Sequence, residues 1–337
     1  MSRITVLGSG AWGTAMALSL CARGDHEVAL WSHRADHAAA LESNRANLRY
    51  LPGFPFPEAL RITADDRAAV RGAEILVCVV PSEFLRVTMT RLSPHMHEDQ
   101  VLVSATKGIE DHTFLRMTEA MHDCLDDARL VLPVGALSGP SFAQEVAAGM
   151  PTAVTIAFTD PADAARIQRE FSSPALRLYT NEDIVGVEMG GALKNVIAIA
   201  AGVVAGLGLG SNSAAGLITR GIAEITRLAV AAGGRRETLR GLSGLGDLVL
   251  TCTGSLSRNR TVGFELGRGR QLGDILSGLD GKVAEGVRTT RAAMGLARHL
   301  GVEMPITEQM ELILDHGKNA HEALRDLMLR PGRDEED

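Results

Sequence analysis

The chain has 337 residues, 45% of them hydrophobic and 22% charged, which excludes a disordered or fibrous polypeptide, and it exceeds the ~250–300 residues at which one core stops growing, so two domains are expected. A formal net charge of −7 excludes a general nucleic-acid binder with its basic stripe, so any anionic ligand must be held by a local group of cations. The four cysteines, Cys21, Cys78, Cys124 and Cys252, are irregularly spaced with no CxxC pair; they indicate neither a zinc knuckle nor a disulfide framework and point to a reducing compartment.

The first predicted strand is Ile4-Thr5-Val6-Leu7, with no export signal before it, which sets the expectation of a cytoplasmic protein. Directly after it, Gly8-Ser9-Gly10-Ala11-Trp12-Gly13 fits GxGxxG and opens a helix predicted over residues 14–20. In that context the glycines permit a tight turn, close backbone approach to a pyrophosphate and close helix–strand packing, while the helix N-terminus offers free N–H groups to the anion. A second strand is predicted over residues 27–31. At its end an NAD-selective fold carries an acidic residue for the ribose hydroxyls, whereas this chain has Ser32-His33-Arg34. An arginine suits a 2′-phosphate, which predicts that NADPH or NADH is accepted with NADPH favoured; the alternative is that Arg34 only stacks on the adenine.

Further strands are predicted over residues 75–80, 101–105, 130–132, 153–158 and 176–179, alternating with helical stretches. The run Ile75-Leu76-Val77-Cys78-Val79-Val80 is apolar throughout, as a strand covered by helices on both faces should be. The pattern predicts an α/β fold: an N-terminal Rossmann domain with a doubly wound, mainly parallel sheet over residues 1–184. His95 and His97 lie near a proline turn without the helical spacing of a zinc enzyme and read as surface residues.

Beyond about residue 185 long Ala/Leu/Ile-rich segments such as 215–232 and 289–300 predict an all-α C-terminal domain over residues 185–330. Residues 196–219 carry no charge and could span a membrane by length alone, but Gly202, Gly206, Gly208 and Gly210 would break a lipid-facing helix, so a buried helix and a glycine-rich turn are predicted. The charged residues 331–337 read as a disordered tail.

Hydride transfer to a ketone needs a proton donor for the developing alkoxide and cations for any phosphate on the substrate. The second half carries the right residue types: Lys194-Asn195 at the head of an apolar helix, Asp247 in a glycine-rich loop, and Ser257-Arg258-Asn259 before a helix predicted over 261–266, with Ser257 as its N-cap. A partly desolvated lysine beside a second cation has its pKa lowered toward neutrality, which favours proton exchange.

Six segments occur in order: Gly8 to Gly13, Lys107-Gly108, Ser138-Gly139-Pro140-Ser141-Phe142-Ala143, Gly191-Ala192-Leu193-Lys194-Asn195, Gly241-Leu242-Ser243-Gly244-Leu245-Gly246-Asp247-Leu248, and Ser257-Arg258-Asn259-Arg260. With them the chain resembles the bacterial-type NAD(P)-dependent glycerol-3-phosphate dehydrogenase family over nearly its whole length. The resemblance implies reversible reduction of dihydroxyacetone phosphate to sn-glycerol 3-phosphate, feeding phospholipid synthesis, with Lys194 as proton donor and acceptor. It implies substrate contacts from Lys107, Gly139, Ser141, Lys194, Asp247, Ser257, Arg258 and Asn259. Around the cofactor it implies Gly8, Gly10, Ala11, Trp12 and Gly13, then His33, Arg34 and Tyr50, and further along Lys107, Ala143, Arg258, Val283 and Glu285. No metal is required, since a lysine and hydrogen-bond donors can polarise the carbonyl, and a homodimer is expected. The rival readings are a related two-domain β-hydroxyacid or 6-phosphogluconate-type dehydrogenase, and a non-catalytic nucleotide sensor.

Overall fold

In the computed structural model, which describes residues 1–278, 284–332 and 334–335, the β-branched runs of the first half pair into one sheet. Ten strands occur along the described chain: β1 (Ser2–Leu7), β2 (His26–Trp31), β3 (Ala46–Asn47), β4 (Leu51–Pro55), β5 (Arg61–Thr63), β6 (Ile75–Cys78), β7 (Val101–Ser104), β8 (Val134–Ser138), β9 (Thr152–Ala157) and β10 (Leu176–Asn181). Eight of them form a sheet in the order β10-β9-β8-β7-β6-β1-β2-β5, and β3 and β4 make a separate antiparallel hairpin. Every pairing in the large sheet is parallel except β8 with β9. The chain winds outward from β1 in both directions, through β2 to β5 on one side and from β6 on the other. β1 therefore marks the switch point, outside whose carboxyl end doubly wound sheets bind ligands.

The strand expected over 130–132 does not form; pairing begins at Val134, after Pro133, which has no N–H to give the ladder. The short β5 and the β3–β4 hairpin were not anticipated. Val6, Leu30, Val77, Val103, Leu137 and Ile156 share one buried cluster, which covers one face of the sheet.

By internal contacts the chain divides into two units, Met1–Lys107 with Met117–Ile184, and Gly108–Arg116 with Val185–Asp337. The second is helical, built around the helix Ile184–Gly206. That helix is long and apolar enough to cross a membrane, but 89% of its most apolar window is buried, which marks it as a core helix. It begins ten residues before Lys194, so the lysine sits in mid-helix rather than at the head. The helix Arg258–Gly267 crosses it closely enough that a Cβ on Gly263 would run into the carbonyl oxygen of Ile199. Small residues at this crossing thus set how near Ser257, Arg258 and Asn259 come to the lysine-bearing helix.

The segment Gly108–Arg116 belongs to the helical unit: Ile109 joins its core, Phe114 fills the space beside Gly295, and Arg116 pairs with Glu188 at 2.5 Å. Of the residues read as a tail, 331–332 and 334–335 are described and the rest lie outside the described residues. Arg220 donates to the carbonyl of Glu335 at 2.6 Å.

Candidate active site

In the first unit the loop after β1 is made of backbone. Gly8 adopts φ +126, a region side chains avoid, and a Cβ on Gly13 would strike the carbonyl oxygen of Gly8. A Cβ on Gly10, in contrast, would meet no protein atom within 4 Å. Gly10 is the N-cap of the helix Ala11–Cys21 and supplies no side-chain cap, so it leaves the first-turn N–H groups, which have no partner within the helix, without a side-chain acceptor from the cap. The buried indole Nε1 of Trp12 has no hydrogen-bond partner among the described residues. These features fit a dinucleotide pyrophosphate, with donors in the backbone and no side chain blocking its approach.

Past β2, His33 and Arg34 are exposed. Partial burial of its ring and the Arg34 charge hold the His33 imidazole below its ordinary pKa. The Arg34 guanidinium is engaged by Asp36, an anion that the sequence reading did not set beside it, and the carboxyl of Asp36 is pulled down to about 2, chiefly by that hydrogen bond. Tyr50 lies nearby in the same unit, its ring edge-on to His37 at 5.4 Å and 5.1 Å from the Arg49 guanidinium.

Lys107, Gly139 and Ser141 are brought together. Lys107 Nζ donates to the Gly139 carbonyl at 3.2 Å and Ser141 Oγ to the same oxygen at 2.9 Å. Gly139 has φ +142 and lies too close to Val154 to carry a side chain. Ala143 begins the short helix Ala143–Ala147 that follows this turn.

In the helical unit Lys194 is 7% exposed and Asp247 0%. Nζ donates to Asp247 Oδ1 and, at 2.9 Å, to Thr251 Oγ1. The Thr251 hydroxyl gives its own proton to the Asp247 carbonyl at 2.6 Å, which leaves its lone pair for the ammonium. Lys194 is thus desolvated, as expected, and a carboxylate and a hydroxyl hold its Nζ. Cys252 follows Thr251 in sequence; burial outweighs the pull of Lys194 and pushes its thiol up to about 12, so it stays protonated and inert.

Asn259 ties three helices together. The Gly286 N–H bonds its Oδ1 at 3.0 Å, which fixes the amide orientation, so Nδ2 donates to Asn195 Oδ1, also at 3.0 Å. Ser257 caps the helix Arg258–Gly267 by accepting from Arg260 N at 3.2 Å, with Arg258 exposed beside it. The cap is where the sequence placed it; the helix starts three residues before the expected 261. Glu285 opens the helix Glu285–Leu300, and Val283 lies outside the described residues. Thr251 was missed, though its spacing of four from Asp247 puts both on one helix face. Among the described residues no group of three or more His, Cys, Asp or Glu side chains could hold a metal ion.

Residues 3–164 match the family model for the NAD-dependent glycerol-3-phosphate dehydrogenase N-terminus, and residues 183–325 the model for its C-terminus. A glycerol-3-phosphate dehydrogenase [NAD(P)+] of Acidobacterium capsulatum is 60% identical over 99% of this chain and 100% of its own length. Its counterpart in Koribacter versatilis is 55% identical over 99% of both chains. A crystal structure of glycerol-3-phosphate dehydrogenase from Coxiella burnetii superposes with a TM-score of 0.92 at 39% identity, covering 98% of this chain and 99% of that one.

Proposed function

The chain belongs to the NAD-dependent glycerol-3-phosphate dehydrogenase family, and we infer from that membership that it is an NAD(P)-dependent glycerol-3-phosphate dehydrogenase. It reduces dihydroxyacetone phosphate to sn-glycerol 3-phosphate, reversibly, and supplies glycerol phosphate for phospholipid synthesis. The observation that carries the chemistry is the buried ammonium of Lys194 held on Asp247 and Thr251, beside residues of the type needed to hold a phosphate.

The dinucleotide, when bound, supplies the hydride. Lys194 delivers the proton to the substrate carbonyl oxygen as it becomes an alkoxide, and takes one back in the reverse direction. Asp247 and Thr251 hold Nζ in place, so little reorganisation is left for the transfer itself. Ser257, Arg258 and Asn259 receive the phosphate at a capped helix N-terminus, Arg258 by charge and Asn259 through the amide network that sets Asn195. Lys107, with Gly139 and Ser141, is the substrate contact of the first unit. Glu285, at the start of its helix, borders the cofactor. Arg34 receives the 2′-phosphate, so NADPH is favoured over NADH, while Asp36 limits that preference by competing for the same guanidinium. The protein works in the cytoplasm, as a homodimer.

The experiment is to mix the purified protein with NADPH and dihydroxyacetone phosphate and follow nicotinamide absorbance. Oxidation of NADPH that requires this ketone supports the assignment. Oxidation only with β-hydroxyacid-type ketones, or binding without oxidation, overturns it in favour of a related dehydrogenase or a nucleotide sensor.

A further inference from the structure

We propose that Asn47 is a positioning residue for the dinucleotide, setting the direction of the glycine-loop peptide that meets the pyrophosphate. The inference rests on the dinucleotide reading above. Asn47 ends β3, in the small hairpin that follows the second helix, and it is 0% exposed. Its side-chain amide donates to the Ser9 carbonyl at 2.9 Å and to Thr14 Oγ1 at 2.8 Å, and its Oδ1 accepts the Tyr50 N–H at 3.1 Å. Both donor hydrogens and the acceptor are therefore committed.

Packing alone could hold the hairpin. Leu51, fully buried, sits with Ala15 and Val146 in a small apolar cluster against which Trp12 and Ala143 also pack. Burying a carboxamide there costs free energy unless each of its groups is matched, so the amide marks a requirement that packing does not meet. That requirement is orientation. The described chain has no cis peptide, and in a trans unit the Ser9 carbonyl and the Gly10 N–H point in opposite directions. Pinning the carbonyl on Asn47 turns the Gly10 N–H away from the hairpin, at the residue whose Cβ would meet nothing within 4 Å. The bond to Thr14, whose own N–H closes the first helical turn on the Gly10 carbonyl at 3.0 Å, locks the helix start to the same amide. The Tyr50 N–H ties in the hairpin tip. One side chain thus registers the anion-binding turn, the first turn of the helix and the loop that carries Tyr50.

The test is direct titration of the folded protein with NADPH, alongside steady-state kinetics. Asn47→Asp keeps the shape and the acceptor for Tyr50 but loses both donors and brings a negative charge to the loop. The expected result is a rise of roughly tenfold or more in the NADPH dissociation constant, with kcat at saturating NADPH and KM for dihydroxyacetone phosphate within about twofold. Adenosine 2′-phosphate, which lacks the pyrophosphate, should keep its inhibition constant within about threefold, a split that general loosening of the fold would not give. If Asn47→Asp does not fold, Thr14→Val takes its place: it should weaken NADPH roughly threefold or more, and Thr14→Ser should recover most of the loss. NADPH affinity within about twofold of wild type in the variant that folds, or an equal loss for adenosine 2′-phosphate, overturns the proposal. Failure of the wild-type protein to bind NADPH would instead sink the dinucleotide reading itself.

Discussion

The glycine loop of the first unit and the Lys194 centre of the second are built from different materials. The glycine loop in the first unit offers backbone N–H groups and a helix terminus, with nothing on it that titrates, and its shape comes from Gly8 and Gly13 being jammed where no side chain fits. The Lys194 centre in the second unit is made of side chains that packing gathers from two helices, 53 residues apart in the chain for the central ion pair. A backbone site tolerates changes of side chain but no change of path; a side-chain site is the reverse. Substitutions in the two halves should therefore fail in different ways, the first in cofactor affinity and the second in turnover.

Asp247→Ala should show the largest effect. It removes the carboxylate that holds the buried Lys194 amine, and breaking a buried ion pair costs about 3–5 kcal/mol, read as a loss of unfolding free energy in a denaturant titration. Turnover should fall with it while NADPH affinity of the folded fraction holds. Gly13→Ala is the mirror case: the new methyl meets the Gly8 carbonyl, which should cost roughly 1–3 kcal/mol and weaken NADPH binding by titration, with less effect on KM for the ketone. An equal fall in turnover and cofactor affinity in both variants would erase the distinction between the two halves.

Smaller changes sharpen it. Thr251→Val removes one of the acceptors on Nζ and should cost ~1 kcal/mol of stability and about tenfold in kcat, measured at saturating NADPH. Asp36→Asn frees the Arg34 guanidinium, and the ratio of kcat/KM for NADPH over NADH should rise by about threefold, since the pair it breaks is exposed. A fall in that ratio would remove Arg34 from 2′-phosphate recognition.

The same contrast governs what could be read beforehand. The glycine loop is a contiguous string whose conformational demands are written in the residues themselves, so its place after β1 and at the head of a helix was legible. The helical centre was legible through matched segments, because nothing local to Lys194 says which distant carboxylate packs on it. Thr251 escaped for that reason. Gly190 and Gly191 concealed the start of the helix Ile184–Gly206; at Gly190 a Cβ would collide with the Ser243 backbone, so tertiary packing overrides poor helix propensity there. β8 was displaced because Leu130-Val131-Leu132 looks more strand-like than Val134-Gly135-Ala136, although Pro133 cannot donate to the ladder. The hairpin bearing Asn47 has strands of two and five residues and a Leu48-Arg49-Tyr50 loop without turn-forming residues, so no local signal announced it.

The claim that Lys194 moves the proton is tested most directly by amine rescue of Lys194→Ala, on protein shown by titration to bind NADPH normally. Turnover with dihydroxyacetone phosphate should be about a hundredfold or more below wild type and should rise with added small primary amines that can enter the space left by the side chain. Near-wild-type turnover without any amine would contradict the account, because the proton would then have another source.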